Sequence, residues 1–248
     1  MNDYLAAFFM AQSMFCAFPC PCHAWKEEAR NKMLLFLPVI GLEIGALWVL
    51  TAWILRFFQI PTLVTGLVLC AIPYLSTGFI HLDGFLDVTD AIGSWRPLEQ
   101  RRAILKDSHV GSFAVVGCVF LLLAGFALFA SAPQDSNFWC LLLVPVVSRC
   151  CSAIAVLQLK PMETSQYAKG HGAAKKWQAL VLGLAGLCCV LCGFLVWGRY
   201  GWVLVGGLLG YGAALWKSFR LLEGMNGDIS GFCLTISELC AVAVYALL

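Results

Sequence analysis

Residues 110–131 read VGSFAVVGCVFLLLAGFALFAS, 22 consecutive positions without a charged side chain. A helix rising 1.5 Å per residue needs about 20 such residues to cross a hydrocarbon core about 30 Å thick. In water this segment would present an apolar surface with nowhere to go, so it is read as a membrane span. Six further apolar stretches flank it, at about 33–55, 60–80, 138–159, 177–197, 202–216 and 234–248. The last two are short for a straight crossing. Of the 248 residues, 61% are hydrophobic and 12% charged, against about 25% charged in soluble domains. The sequence therefore predicts an all-α fold, a polytopic transmembrane helix bundle of about 7 spans, as a single integral membrane domain over 1–248. Residues 5–18 are apolar but too few to span, and are expected to form a short N-terminal interfacial helix. With Asp3 and no basic stretch at the start, no cleavable signal peptide is expected.

The charges alternate with the spans. Thirteen of the 16 Lys and Arg fall in one set of connections: Lys26, Arg30 and Lys32; Arg96, Arg101, Arg102 and Lys106; Lys160, Lys169, Lys175 and Lys176; Lys217 and Arg220. The opposite set holds Arg56 and Arg199, while Arg149 falls within a span. Basic residues collect in cytoplasmic loops, which predicts an inner-membrane protein with segments 81–109, 160–176 and 217–233 in the cytoplasm. The 13 cysteines lie mostly inside apolar runs and read as small buried hydrophobes. Cys16, Cys20, Cys22 and His23 have metal-like spacing, but no second half-site follows, so incidental thiols are expected there.

One segment leaves a span directly into three carboxylates: Gly78, Phe79, Ile80, His81, Leu82, Asp83, Gly84, Phe85, Leu86, Asp87, Val88, Thr89, Asp90. If the helix continues, Asp83, Asp87 and Asp90 are spaced i, i+4, i+7 and share one face. Three anions on one face repel, and a divalent cation removes that cost; oxygen ligands suit Mg²⁺, Mn²⁺ or Ca²⁺ better than zinc. A single Asp here would be an ordinary solvated charge, but three without an interleaved base point to a metal site. Further on, Lys106, Asp107, Ser108, His109 and Gly111 could contact phosphate or supply a base, or simply cap the next helix. Arg149, about midway along a span, needs an acidic partner or an anionic ligand. Glu43 and Glu238 are the acidic groups within spans, so a purely structural ion pair stands as the alternative. The run Gly224 to Gly231, with Asn226, Gly227 and Asp228, could cradle a phosphate and add a ligand, or be a flexible linker. Acids for a metal and cations for phosphate, on one side of the membrane, suit phosphoryl or nucleotidyl transfer.

The order of these elements resembles the cobalamin synthase family, the adenosylcobinamide-GDP ribazoletransferases. That family's signature is a His-Leu-Asp-Gly run with two further aspartates, then a basic-Asp-Ser segment; here these are His81 to Gly84, Asp87 and Asp90, then Lys106, Asp107 and Ser108 with Gly111. The likeness extends to residues 36–41, to Ser148 and Arg149, to Asn226–Asp228, and to Glu238 in the last helix. It implies a Mg²⁺-dependent transfer that joins α-ribazole, or its 5′-phosphate, to adenosylcobinamide-GDP and releases GMP. Carried over, Asp83, Asp87 and Asp90, with Asp107 beside them, hold Mg²⁺ against the pyrophosphate, and Lys106 and Arg149 stabilise phosphate charge. The base acting on the ribazole 5′-hydroxyl is left between His81 and an aspartate. The implied partners are these small substrates and membrane lipid, with no nucleic acid and room for a homo-oligomer. Ala91 and Ala114 stand where the family commonly has glycine, Glu43 replaces an apolar residue, and the Cys16–Cys22 stretch lacks a usual basic one.

Two other classes of membrane protein share part of this pattern. A CDP-alcohol type of membrane phosphotransferase also uses helix-end aspartates and a divalent metal, but its Gly-x3-Asp-x3-Asp run is not found here. A divalent cation transporter would place its site near the bilayer midplane, often on broken helices in repeated halves, whereas these acids cluster at one interface without a repeat.

Overall fold

The computed structural model of the chain describes residues 1–23, 25–162 and 174–248. It is helical, with no strand among the described residues and one parallel bridge between Pro161 and Met225. The N-terminal helix α1 (Asp3–Phe15) is followed by the short α2 (Arg30–Met33) and by α3 (Leu37–Phe57). Then come α4 (Thr62–Ser76), α5 (Ile80–Gly93), α6 (Leu98–Ile104), α7 (Ser112–Ser131) and α8 (Val144–Gln158). The last three are α9 (Ala174–Trp197), α10 (Gly201–Leu222) and α11 (Gly227–Leu247).

Five helical segments are long and apolar enough to cross a bilayer, or six if the bent pair α4 and α5 counts as one. The multi-pass bundle is as expected, but the count of about seven is not confirmed. Two features cause the difference. Helix α4 has 15 residues and meets α5 at 93°, and α9 and α10 fall within one 47-residue run. Gly198, with φ +57°, turns the chain between α9 and α10, and a Cβ on Gly193 would stand 2.7 Å from the Leu204 side chain. The two helices therefore lie against each other. The short sixth and seventh stretches are full-length helices of 22 and 21 residues. Segment 217–233 is thus not a loop: residues 223–226 alone join α10 to α11. Segment 81–109 likewise contains α5 and α6, and most of segment 160–176 lies outside the described residues.

Bends and crossings have local causes. Pro73, inside α4, has no N–H to offer the Leu69 carbonyl one turn earlier. The buried Trp48 indole of α3 fills that place, donating to the Leu69 oxygen at 2.8 Å. Beyond Ser76 the chain takes positive φ at Gly78 and Phe79, which breaks the helix and redirects α5. Close backbone approach joins α3 to α8, because a Cβ on Gly41 would sit 2.5 Å from the Pro145 oxygen. Small residues at such contacts let membrane helices pack without a hydrophobic driving force between them.

The start of α3, the ends of α8 and α10, and the start of α11 meet at one end of the bundle. There Arg101 and Arg102 donate to the terminal carbonyls of α10, at Leu221, Leu222 and Glu223, from 3.0 to 3.2 Å. Cations at a helix C-terminus satisfy its free carbonyls and complement its dipole. At the other end Ser136 and Tyr245 share a 2.6 Å hydrogen bond and Arg56 donates to the Ser136 carbonyl. The 21 residues of α11 separate the two ends by about 30 Å, the depth of a hydrocarbon core.

Candidate functional site

The site forms where α5 crosses α11 in antiparallel sense. A Cβ on Gly84 would meet the Asp228 backbone at 2.7 Å, and one on Gly231 would meet the His81 carbonyl at 3.1 Å. Thr235 adds a hydrogen bond to that carbonyl at 3.3 Å. Glycine at 84 and 231 thus lets two backbones touch, and the contact sets Asp83 and Asp87 beside Asp228. Asn226 caps α11, accepting the Ile229 N–H at 2.9 Å and donating to the Asp228 carboxylate at 2.6 Å. The polar Gly224–Gly231 run is therefore mostly the capped first turn of α11, with Gly227 exposed in it.

Helix α5 is continuous through positions 83, 87 and 90, so the three carboxylates lie along one side as expected. Asp83 is exposed; Asp87, half-buried, lies in the combined negative field of Asp228, Asp83 and Asp90. None of Asp83, Asp87 and Asp90 has a side-chain hydrogen bond or ion pair with any described residue. Asp90 turns toward α7: both its carboxylate oxygens would collide with a Cβ on Gly111, the N-cap of that helix. Among the described residues no three His, Cys, Asp or Glu side chains stand close enough to hold a metal together. What is present is a set of unpaired oxygen donors. Mg²⁺ is commonly held by one or two carboxylates while keeping waters and substrate phosphate oxygens, so this donor set fits it.

Two cavities meet at Asp228. The inner one, about 130 Å³, is lined by His81, Asp83, Arg149, Ser152, Asp228 and Ser230, with Met14 and Phe15 of α1 as part of its wall. The outer one, about 470 Å³, is lined by Glu99, Arg102, Lys106, Met162, Asn226 and Asp228. Arg149 is 1% exposed and its guanidinium is held by Glu238 at 2.6 Å and by the Pro145 carbonyl at 3.2 Å. Ser148 also donates to Glu238, at 3.1 Å. Glu238, not Glu43, is thus its acidic partner; Glu43 keeps one enclosed carboxylate oxygen without a hydrogen bond. The ion pair and the place on the cavity wall coexist, because the guanidinium is pinned by one edge while Nε makes no hydrogen bond.

His81 stacks on Phe15, with ring centroids 6.5 Å apart and planes 13° off parallel. The Lys106 ammonium has no partner among the described residues and faces the outer cavity. Asp107 is not brought to the acidic cluster. Its carboxylate turns to His109, bonding the ring at 2.7 Å and the backbone N–H at 3.0 Å, and these bonds hold its pKa below the usual value. Ser108 is exposed and lines neither cavity.

Sequence reasoning missed several wall residues. Ser152 and Ser230 share a short hydrogen bond between α8 and α11; Ser152 follows Arg149 by three residues and so shares its helix face, a signal that was readable. Nothing in the sequence placed Met14 and Phe15 beside His81. That contact depends on α1 folding back over α2 and α3, with Asp3 paired to Lys26 and, at 2.9 Å, to Lys32 of α2. These two ammonium groups lower the Asp3 pKa to about 2.

An acid-lined cleft flanked by cations, at one end of a helical bundle, defines an integral membrane protein equipped to handle phosphates. The chain belongs to the cobalamin-5-phosphate synthase family, whose model matches residues 7–246. Its relatives include adenosylcobinamide-GDP ribazoletransferases of Clostridium perfringens strain 13, 32% identical over the whole of both chains, and of Clostridium botulinum strain Alaska E43, 31% identical over 96% of each. That of Brevibacillus brevis is 33% identical over 96% of each. No solved structure matches the chain.

Proposed function

We propose that this protein transfers the adenosylcobinamide phosphate moiety of adenosylcobinamide-GDP to α-ribazole or its 5′-phosphate, releasing GMP. The observation that carries the reading is the meeting of two cavities at Asp228, with the Asp83 carboxylate on one side and the Lys106 ammonium on the other, neither paired among the described residues. A transfer between two substrates needs such a shared point, and loose phosphoryl transition states are stabilised mainly by positioning and charge. A hydroxyl oxygen of α-ribazole attacks the cobinamide-side phosphorus, a new P–O bond forms, and the bond to the GMP oxygen breaks. The family's description, with a cobalamin-5-phosphate as product, bears on the nucleophile. A product that keeps its 5-phosphate requires attack by a ribose hydroxyl other than the 5′ one expected from the sequence. Its proton passes to Asp83 or to the His81 ring, which line the inner cavity. Arg149 supports a phosphate oxygen from that cavity and Lys106 supports the departing GMP.

One or two of Asp83, Asp87 and Asp228 would hold Mg²⁺, with water and diphosphate oxygens completing its shell. Bound there, the ion would neutralise diphosphate charge and orient the leaving oxygen. Asp90, turned to Gly111, is a weaker candidate than the sequence suggested. The active end faces the cytoplasm of the inner membrane in this reading, supported by the sequence pattern that collects 13 of the 16 Lys and Arg in one alternating set of segments.

The test is purified protein with adenosylcobinamide-GDP, α-ribazole and Mg²⁺, with product followed chromatographically. Cobamide and GMP should form in equal amounts, stop with chelator, and be lost in Asp83→Asn while the variant still inserts. Full activity of that variant, or indifference to chelator, would remove the metal from the scheme. Lipid product from a CDP-alcohol donor, with no cobamide, would replace the reading by its rival.

A further inference from the structure

The outer cavity carries a pattern that transfer chemistry does not itself explain. Glu99, Arg102, Ala103 and Lys106 all line it, and their spacing i, i+3, i+4, i+7 puts them on one helical face. Helix α6 is assigned to Ile104, but Leu105 keeps helical φ and ψ and the Lys106 N–H bonds the Ala103 carbonyl at 3.1 Å, so the turn continues. Seven residues at 1.5 Å place Glu99 and Lys106 about 10 Å apart along the axis. That is comparable with the reach of a guanosine 5′-phosphate from its Watson–Crick edge to its phosphate.

We propose that the outer cavity is a guanine-nucleotide subsite, in which Glu99 reads the base and Lys106 holds the phosphate. The inference rests on the transferase reading above and assigns the donor's nucleotide half to a place. A carboxylate is an acceptor at both oxygens. Guanine presents two adjacent donors, N1–H and the 2-amino group, and so can pair with both. Adenine has a lone pair at N1 and would set acceptor against acceptor; hypoxanthine keeps N1–H but lacks the amino group. Buried Met162 and Leu105 supply apolar wall for the base plane. Arg102 is not available to the phosphate with the nitrogens that bond the Leu222 and Glu223 carbonyls; it anchors α6 to the end of α10. Asp228, on the far wall, is shared with the inner cavity, so a nucleotide lying along α6 directs its phosphates toward the acidic cluster. Glu99 is exposed and without an ion partner among the described residues; its place in the first turn of α6 suits the helix dipole and leaves both carboxylate oxygens open to a ligand.

The experiment titrates purified full-length protein with GMP, IMP and AMP in the presence of Mg²⁺, by calorimetry. GMP should bind at least about tenfold more tightly than AMP, with IMP between, since a site built to pair with donors rejects analogues that lack them. Glu99→Gln, whose amide keeps one acceptor but sets a donor against guanine's second donor, should abolish the GMP preference, with AMP binding at least as tightly as GMP because adenine's N1 acceptor and 6-amino donor match the amide. Lys106→Gln should weaken all three alike. AMP binding as tightly as GMP to the unaltered protein, or an unchanged preference in Glu99→Gln, would overturn the assignment. Cobamide formation by the same preparation separates the two ideas. Product without guanine preference removes the subsite alone, and no product at all removes the transfer reading.

Discussion

Replacing Gly84 by alanine adds one methyl group and removes no functional one, so it tests whether the α5–α11 crossing sets the chemistry. The new Cβ would stand 2.7 Å from the Asp228 carbonyl oxygen, 2.9 Å from its Cα and 3.2 Å from its carbonyl carbon. All three are backbone atoms, which cannot swing away as a side chain does. The helices must part by roughly 0.5–1 Å, an overpacking that costs about 1–3 kcal/mol of stability. The separation falls on the residue carrying the shared carboxylate and on the neighbour of Asp83. A displacement of about 1 Å in positioning groups can cost about 100-fold in rate, equivalent to about 2.7 kcal/mol of barrier. Gly84→Ala should therefore insert and fold, yet form cobamide from adenosylcobinamide-GDP about 100-fold more slowly at saturating substrates. Gly212→Ala is the control, because a Cβ there meets nothing within 4 Å. Wild-type turnover in Gly84→Ala, with the fold unchanged, would show that this close approach does not position the carboxylates, and the argument from geometry would fail.

Glu238→Ala should leave the Arg149 guanidinium buried without its counter-charge. Losing one partner of such a pair costs about 3–5 kcal/mol, visible as a lowered unfolding midpoint in detergent, with Glu238→Gln milder; equal midpoints would make the pair dispensable. Trp48→Phe removes the donor that replaces the N–H missing at Pro73 and should cost about 1–3 kcal/mol through an unsatisfied Leu69 carbonyl. A midpoint unchanged in that variant would argue against this role. The Asp3 pKa is lowered from 3.8 to about 2 by Lys26 and Lys32. Such a group stabilises the folded form above its unfolded value and loses that contribution as pH falls through the folded one. Protection of the α1 amides, taken relative to their intrinsic exchange rates at each pH, should accordingly fall between about pH 4 and pH 2, and Asp3→Asn should show the lower protection already at neutral pH. Protection that is flat with pH and insensitive to Asp3→Asn would mean the ion pairs do not hold α1 down.

Composition and periodicity were enough to show that this chain crosses a membrane, because lipid imposes the same demand on each span separately: a run of apolar residues with internally satisfied hydrogen bonds. The run at 110–131 could be read alone for that reason. Boundaries were harder. Residues 217–222 and 227–233 look polar beside a span, yet they continue α10 and α11 because Arg101, Arg102 and Asn226 satisfy the free groups at those helix ends. The arginines lie as much as 121 positions away in the chain, beyond the reach of any local pattern.

The acidic motif shows the same division. Its spacing put Asp83, Asp87 and Asp90 on one helical side, since a helix repeats every 3.6 residues wherever it occurs. Which of them share a cleft was not written there. Asp90 faces Gly111, Asp107 is taken by His109, and Asp228 joins the cluster from the far end of the sequence. The membrane bundle, the kind of chemistry and the segments that carry it are legible in the order of residues, because each is a property of a single helix or motif. That Glu238 holds Arg149, that α1 walls the inner cavity, and that two cavities meet at Asp228 emerges only on folding. Each of those depends on where separate helices cross, and a crossing is fixed by packing between surfaces, with glycines at 84 and 231 marking the contact.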